Sequence, residues 1–268
     1  MKISILILSI VAACLLSSCS KELISPLDAE EIAIVESYIY AGDSCIRVNV
    51  SRLLPFSEDT LEVKEGISGL TLLVNGAVMS DLGSGNYRLD LGSSRVEAGK
   101  TYTLAFFYGS DSVTSTTLIP EKPVDFNVSD HILYADRITS SSGFGGGPME
   151  DIDVTWTNDD DSYYYVTIQY LESTPDLINE EMEDLDLPTI QSISPVQSSG
   201  TRLGMRNLQF FGHYRVVLFK VNKEFADLYQ QVSANSNNIT DPLTSINNGY
   251  GVFTGMSTDT VFIEVREN

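Results

Sequence analysis

The residue best placed to do chemistry is Cys19, which closes the run Leu16-Ser17-Ser18-Cys19. A single cation, Lys2, precedes an apolar stretch from Ile5 to Leu16, and two small residues and the cysteine stand where that stretch stops. A charged, an apolar and a small-residue segment in that order are what an export signal needs. A thiol directly after the small pair adds a second chemistry: thioether formation with a diacylglyceryl group, cleavage before Cys19, and acylation of the freed amine. The spacing predicts a signal peptide over 1–18 and a lipid-attachment cysteine at position 19. The apolar run is too short for a transmembrane helix, which needs roughly 20 apolar residues. Several acyl chains at one terminus anchor firmly where one chain binds only marginally. The expected partner of this end is therefore a membrane.

Further along, Asp151 and Asp153, with Asp159 and Asp161 in Asn158-Asp159-Asp160-Asp161, form the densest carboxylate cluster. Hard oxygen ligands close together suit Ca²⁺. The same run between two strands is also what a solvated turn contains, because Asp and Asn bond their own backbone. It lacks the mid-loop Gly and distal Glu of an EF-hand. Three short sequences, at Asp59-Thr60-Leu61, Asp111-Ser112-Val113 and Asp259-Thr260-Val261, resemble an O-glycosylation sequon, which makes Thr60, Ser112 and Thr260 candidate acceptors. Each is also ordinary turn chemistry at a strand edge.

Catalytic constellations are missing from the pattern. The two histidines, His131 and His213, have no metal-ligand spacing. There is no Gly-x-Ser-x-Gly elbow, no phosphate-cradling loop and no dinucleotide fingerprint. The reading is non-enzymatic, with no cofactor. Of three cysteines, Cys14 leaves with the signal and Cys19 carries lipid. Only Cys45 remains, alternating in a strand pattern as a small buried hydrophobe, so no intramolecular disulfide is expected.

The elements that must hold these residues are strands. The chain of 268 residues carries a net charge of −21, which repels nucleic acid phosphates and excludes a polyanion partner. Its apolar content and thirteen tyrosines suffice for a packed core. After a polar tether over 19–31, residues 32–120 read as about seven short strands at regular spacing, with Asn75-Gly76 as a hairpin turn. Pro120-Glu121-Lys122-Pro123 marks a boundary. Residues 121–268 read as a second sandwich resembling fibronectin type III. Trp156 in Ile152–Trp156 faces the Tyr-rich Tyr163–Tyr170, and Gly212–Val221 resembles a late strand. Val261–Val265 is expected to be the last strand. One helical insert is expected near 222–234, capped by Asn222, with Phe225, Leu228, Tyr229 and Val232 on one face. A second, acidic helical segment starts at Thr174-Pro175. The expected class is all-β, two consecutive immunoglobulin/fibronectin-III-like β-sandwiches.

Several stretches together carry a family resemblance: Val35-Glu36-Ser37-Tyr38-Ile39, Val50-Ser51-Arg52-Leu53-Leu54-Pro55-Phe56, Gly99-Lys100-Thr101-Tyr102-Thr103-Leu104, Ile119-Pro120, and Asn247-Asn248-Gly249-Tyr250-Gly251-Val252-Phe253. Over the whole mature chain it resembles an uncharacterised group of Bacteroidetes-type outer-membrane lipoproteins, the domain-of-unknown-function group 4249. The group's long aromatic insert is shortened here. The resemblance implies a cell-envelope accessory beside a TonB-dependent receptor or other envelope protein, and brings no catalytic residues. The expectation is a lipid-anchored outer-membrane protein that binds or scaffolds, with the periplasmic or surface face undecided by Ser20-Lys21-Glu22. The alternative is an adhesin or fimbria-like structural subunit.

Overall fold

A computed structural model describes residues 32–53, 64–139, 149–233 and 244–268. The first part contributes β1 (Ala33–Tyr40), β2 (Cys45–Leu53), β3 (Lys64–Gly66), β4 (Leu73–Val74), β5 (Ala77–Val78), β6 (Ser80–Gly83), β7 (Asn86–Asp90), β8 (Thr101–Tyr108) and β9 (Asp111–Leu118). The second contributes β10 (Val124–Val128), β11 (Ile132–Ala135), β12 (Ile152–Thr157), β13 (Tyr163–Tyr170), β14 (Ile190–Val196), β15 (Gly200–Leu203) and β16 (Gly212–Val221). The helix α1 (Lys223–Ser233) and the long β17 (Tyr250–Glu267) follow. The protein is all-β, with its sheets in sandwich-like arrangement.

Local chemistry sets most of these strands. In β13 every second residue is buried, from Tyr164 to Tyr170, so one face meets the core and the other stays half-wet. Asn75 and Gly76 both adopt positive φ, 50° and 79°, which is the turn a two-residue hairpin with right-twisted strands requires. The Asn75 side chain also accepts from the Thr103 amide at 2.8 Å, tying the turn to β8.

One ten-stranded sheet runs through the molecule in the order β14-β13-β16-β17-β1-β2-β7-β6, with β11 beside β17 and β3 beside β2. A four-stranded sheet, β5-β4-β8-β9, belongs with its first half and a three-stranded sheet, β10-β12-β15, with its second. The join is β17. Tyr250–Met256 pair in parallel with β1, and Met256–Val265 pair antiparallel with β16. The sequence led us to expect only Val261–Val265 here. Residues Val252 to Ser257 are all buried, because the strand is covered on both faces and the period-2 pattern disappears.

Two hydrophobic cores result. One gathers Val35, Ile46, Val50, Tyr87, Leu104 and Phe106, together with Ile246 and Phe253 from far down the chain. The first core thus draws on residues beyond Pro120. The other gathers Trp156, Tyr164, Ile168, Leu203, Tyr214 and Leu218. Trp156 packs on Tyr164 with ring centroids 5.3 Å apart. Tyr214 is fully buried, yet its hydroxyl donates to the Phe210 carbonyl at 2.8 Å and accepts from the Phe210 amide at 2.7 Å. That loop-back at the start of a strand is the tyrosine corner of immunoglobulin-like sandwiches.

The acidic segment after Pro175 is a single 3-10 turn, Glu180–Met182, capped by Asn179, rather than a longer helix. A run of carboxylates without an apolar stripe has nothing to bury and does not propagate. The expected helix near 222–234 is present as α1. Asn222 plays a different part from the one expected: its amide nitrogen donates to Thr117 Oγ1 at 3.0 Å and to the Leu118 carbonyl at 2.8 Å. It pins the helix start to β9.

Candidate functional site

The densest set of interacting charges lies where β17 ends beside the segment that follows β13. Arg137 is its centre. Its guanidinium makes a paired contact with Asp176, the shorter at 2.8 Å, and another with Glu267, also 2.8 Å at the shorter. It further donates to the Leu177 carbonyl at 3.0 Å and lies 4.7 Å above the Phe211 ring. Planar bidentate pairing is what guanidinium geometry favours. Hydrogen bonds donated to Glu267 and Asp176 hold the Arg137 guanidinium far above its ordinary range, and Arg137 in return holds the Glu267 carboxyl below its ordinary range.

The rim continues across β16 and β17. His213 Nδ1 lies 2.7 Å from Glu172, and its Nε2 is 4.0 Å from Glu264, which pairs with Arg266 at 2.6 Å. Hydrogen bonding to His213 holds Glu172 low, and hydrogen bonding to Arg266 does the same for Glu264. Glu172, Asp176, Glu264, Arg266 and Glu267 line an open groove of about 480 Å³ whose lining also includes Tyr170, Phe211 and Val265. The groove is polar and charge-paired. Glu172, Glu264 and Glu267 are held in their charged form, which suits ion pairing and recognition of polar groups more than proton donation.

The residues singled out from the sequence lie elsewhere. Cys19 and Thr60 fall outside the described residues. Ser112 is exposed on β9 and Thr260 is exposed on β17. The four calcium candidates do not come together. Asp151 and Asp153 stand at the start of β12, while Asp159 and Asp161 follow its far end, about 20 Å away at the rise of an extended chain. Asp153 instead pairs with Arg202 at 2.9 Å, and Asp161 occupies a positive-φ turn position. Among the described residues no group of three or more His, Cys, Asp or Glu could hold a metal ion. The strand between the two carboxylate pairs separates them, so the cluster seen in the sequence does not form one site.

Cys45 is buried, in keeping with its alternating pattern. His131 Nδ1 lies 2.8 Å from the Phe262 carbonyl, and the neighbouring Glu264 amide donates to the His131 carbonyl, so this ring ties β11 to β17. The sequence reading missed Arg137, Asp176 and Glu267. Their partners are 39 and 130 positions apart, and no short motif marks such a set.

A family model described as a domain of unknown function (DUF4249) matches residues 22–261. No curated protein matches the chain. Among solved structures the chain is similar to the central fibronectin-III array of RIM-binding protein, at 8% identity over 88% of this chain and 69% of that one, with a TM-score of 0.22. That likeness is too distant to bear on function.

Proposed function

The chain belongs to the family of domain-of-unknown-function DUF4249 proteins, and from that premise we propose a lipid-anchored protein of the outer membrane. It acts as a non-enzymatic binding or scaffolding accessory of a TonB-dependent uptake system. The observation that carries the anchor is the run Leu16-Ser17-Ser18-Cys19 placed where the apolar stretch ends. The family resemblance supplies the transport setting, and the charge-paired groove around Arg137 supports recognition over chemistry.

Cys19→Ser is expected to move the protein from the membrane pellet to the soluble fraction and to abolish labelling by radioactive palmitate. Retention of label would refute the anchor. Pull-down of the tagged protein from membranes is expected to recover a TonB-dependent receptor. Recovery of none across varied nutrients would sink the transport link while leaving the anchor standing.

The fimbrial alternative needs a strand near the N-terminus that can be removed and exchanged between subunits. β1 is paired on both sides, with β2 and with β17, so its removal would open the shared sheet. That supports the accessory reading.

A further inference from the structure

The outer face of the ten-stranded sheet carries two apolar patches, and among the described residues only one is covered. Over the first lies α1, whose Phe225 ring meets Tyr38 edge-on at 6.1 Å and Tyr165 at 5.6 Å, with Tyr229 5.4 Å from Tyr165. Tyr38 is on β1 and Tyr165 on β13, so α1 lies across the strands rather than along them. The second patch starts four residues further along the same strands. Ile190, Gln169, Arg215 and Phe262 form one cross-strand row over β14, β13, β16 and β17. In the adjoining row Leu171, His213, Glu264 and Ile132 are neighbours, and Tyr134 pairs with Arg266 beyond them.

Five large apolar side chains stand out from this strip: Ile190 at 59% exposure, Phe262 at 57%, Tyr134 at 55%, and Leu171 and Ile132 at 42% each. Single exposed hydrophobics are ordinary, but a contiguous set on one face marks an interaction surface.

We propose that this strip docks an amphipathic helix of another protein, laid alongside α1. Three features argue for that occupant. The strip continues the surface on which the sheet already seats a helix. Its first row lies about 13 Å along the strands from the Tyr165 row, which leaves room for a second helix beside α1, since packed helices need a spacing of roughly 8–10 Å. From Ile190 to Tyr134 it crosses five strands, about 19 Å, the length of about 13 helical residues.

The second feature is charge. Arg215 is exposed in the middle of the strip, its guanidinium bonded to the neutral amide of Gln169. Among the described residues no carboxylate lies within ion-pair distance of it. A helix with a carboxylate beside its apolar stripe would complete that cation. Finally, a second copy of a chain with net charge −21 would be repelled over most of its surface, which disfavours a self-association reading. The proposal rests on the reading of this protein as a binding module and names the face that binds.

The test places a photo-crosslinking benzophenone amino acid at Phe262 in the full chain, within the cells that make it, with the still more exposed Phe107 as a control on the other sandwich. Expected is an adduct at Phe262 and none at Phe107. The cross-linked partner segment should have apolar residues recurring every three or four positions and an Asp or Glu beside them. Arg215→Glu should cut the adduct at least tenfold while the purified variant melts at the wild-type temperature. The proposal is overturned by no adduct at Phe262, by equal adducts at both positions, or by an adduct to lipid or to a second copy. A partner segment with alternating, strand-like apolar residues would also overturn it. A receptor recovered by pull-down without an adduct at Phe262 would remove this face and leave the uptake reading standing. An adduct with a helix of a protein unrelated to uptake would do the reverse.

Discussion

Gly251 pairs with Val35 in parallel register, and a β-carbon on Gly251 would fall 2.0 Å from the Val35 carbonyl oxygen. Its φ of +105° lies where side chains with a β-carbon rarely go. Space and backbone conformation both demand glycine at the second residue pair between β17 and β1. Gly251→Ala is therefore expected to lower stability by about 3 kcal/mol or more, the range of severe backbone and packing defects. The midpoint of urea unfolding, followed by tryptophan fluorescence, measures it. A variant as stable as the wild type would show that β1 and β17 do not meet this closely.

Because β17 serves both cores, damage to either should be felt by the whole. Phe253→Ala empties a fully buried site in the first core, and Leu218→Ala does the same in the second. Each is expected to cost about 2–5 kcal/mol. Each should shift one common thermal transition downward rather than split it. Two separated transitions in calorimetry would show that the halves unfold independently.

The Tyr214 hydroxyl both donates to and accepts from Phe210, in full burial. Burial pushes that hydroxyl well above the ordinary tyrosine range, so it stays protonated. Tyr214→Phe keeps the ring and strands the Phe210 amide and carbonyl. A loss of about 1–3 kcal/mol is expected, the cost of leaving a buried polar group unmade. The same substitution at the exposed Tyr134 should change nothing measurable in stability.

Acid should destabilise the fold. Glu172, Glu264 and Glu267 are each held below the ordinary carboxylate value of 4.5 by hydrogen bonds from His213, Arg266 and Arg137 respectively. Asp81 is held below 3.8 by the Gly69 and Gly83 amides. A carboxyl depressed in the folded state adds stability above its unfolded value, and that stability is lost as pH falls through the folded one. The melting temperature should therefore hold from neutral pH to about 5 and fall below about 4.5. Arg137→Met frees Glu267 and should make that fall shallower. An unchanged slope would mean that the Arg137 pairs do not form.

The acidic stretch around Asp159 should not respond to calcium. Asp151 and Asp153 are separated from Asp159 and Asp161 by the length of β12, so millimolar Ca²⁺ is expected to leave the melting temperature unchanged. A rise of several degrees that is reversed by chelator would overturn this.

Strands whose two faces differ were legible in the sequence. The ends expected for β13 and β16 are the ends they have, and the Asn75-Gly76 turn marks its hairpin from sequence alone. The first half of β17 was not legible, because a segment covered on both faces has no alternation and Gly251 and Gly255 dilute its apolar signal. β14 was missed for a different reason. Ser192, Ser194 and Pro195 interrupt its apolar pattern, yet proline is tolerated on an edge strand, and β14 is the edge of the long sheet. The charge cluster around Arg137 was invisible because folding, and not spacing, brings its members together. The carboxylates that looked like a site in one dimension were driven apart by the strand between them.

The shared strand has a mechanical meaning. β17 runs for 18 residues, on the order of 55–60 Å when extended, and acts as a spar on which both sandwiches are mounted. A pull on the chain at Ala33 is directed along β1, parallel to the seven residue pairs that join it to that spar. Such a load shears the pairs together instead of unzipping them one by one, so a pull on this end meets a joint that resists peeling.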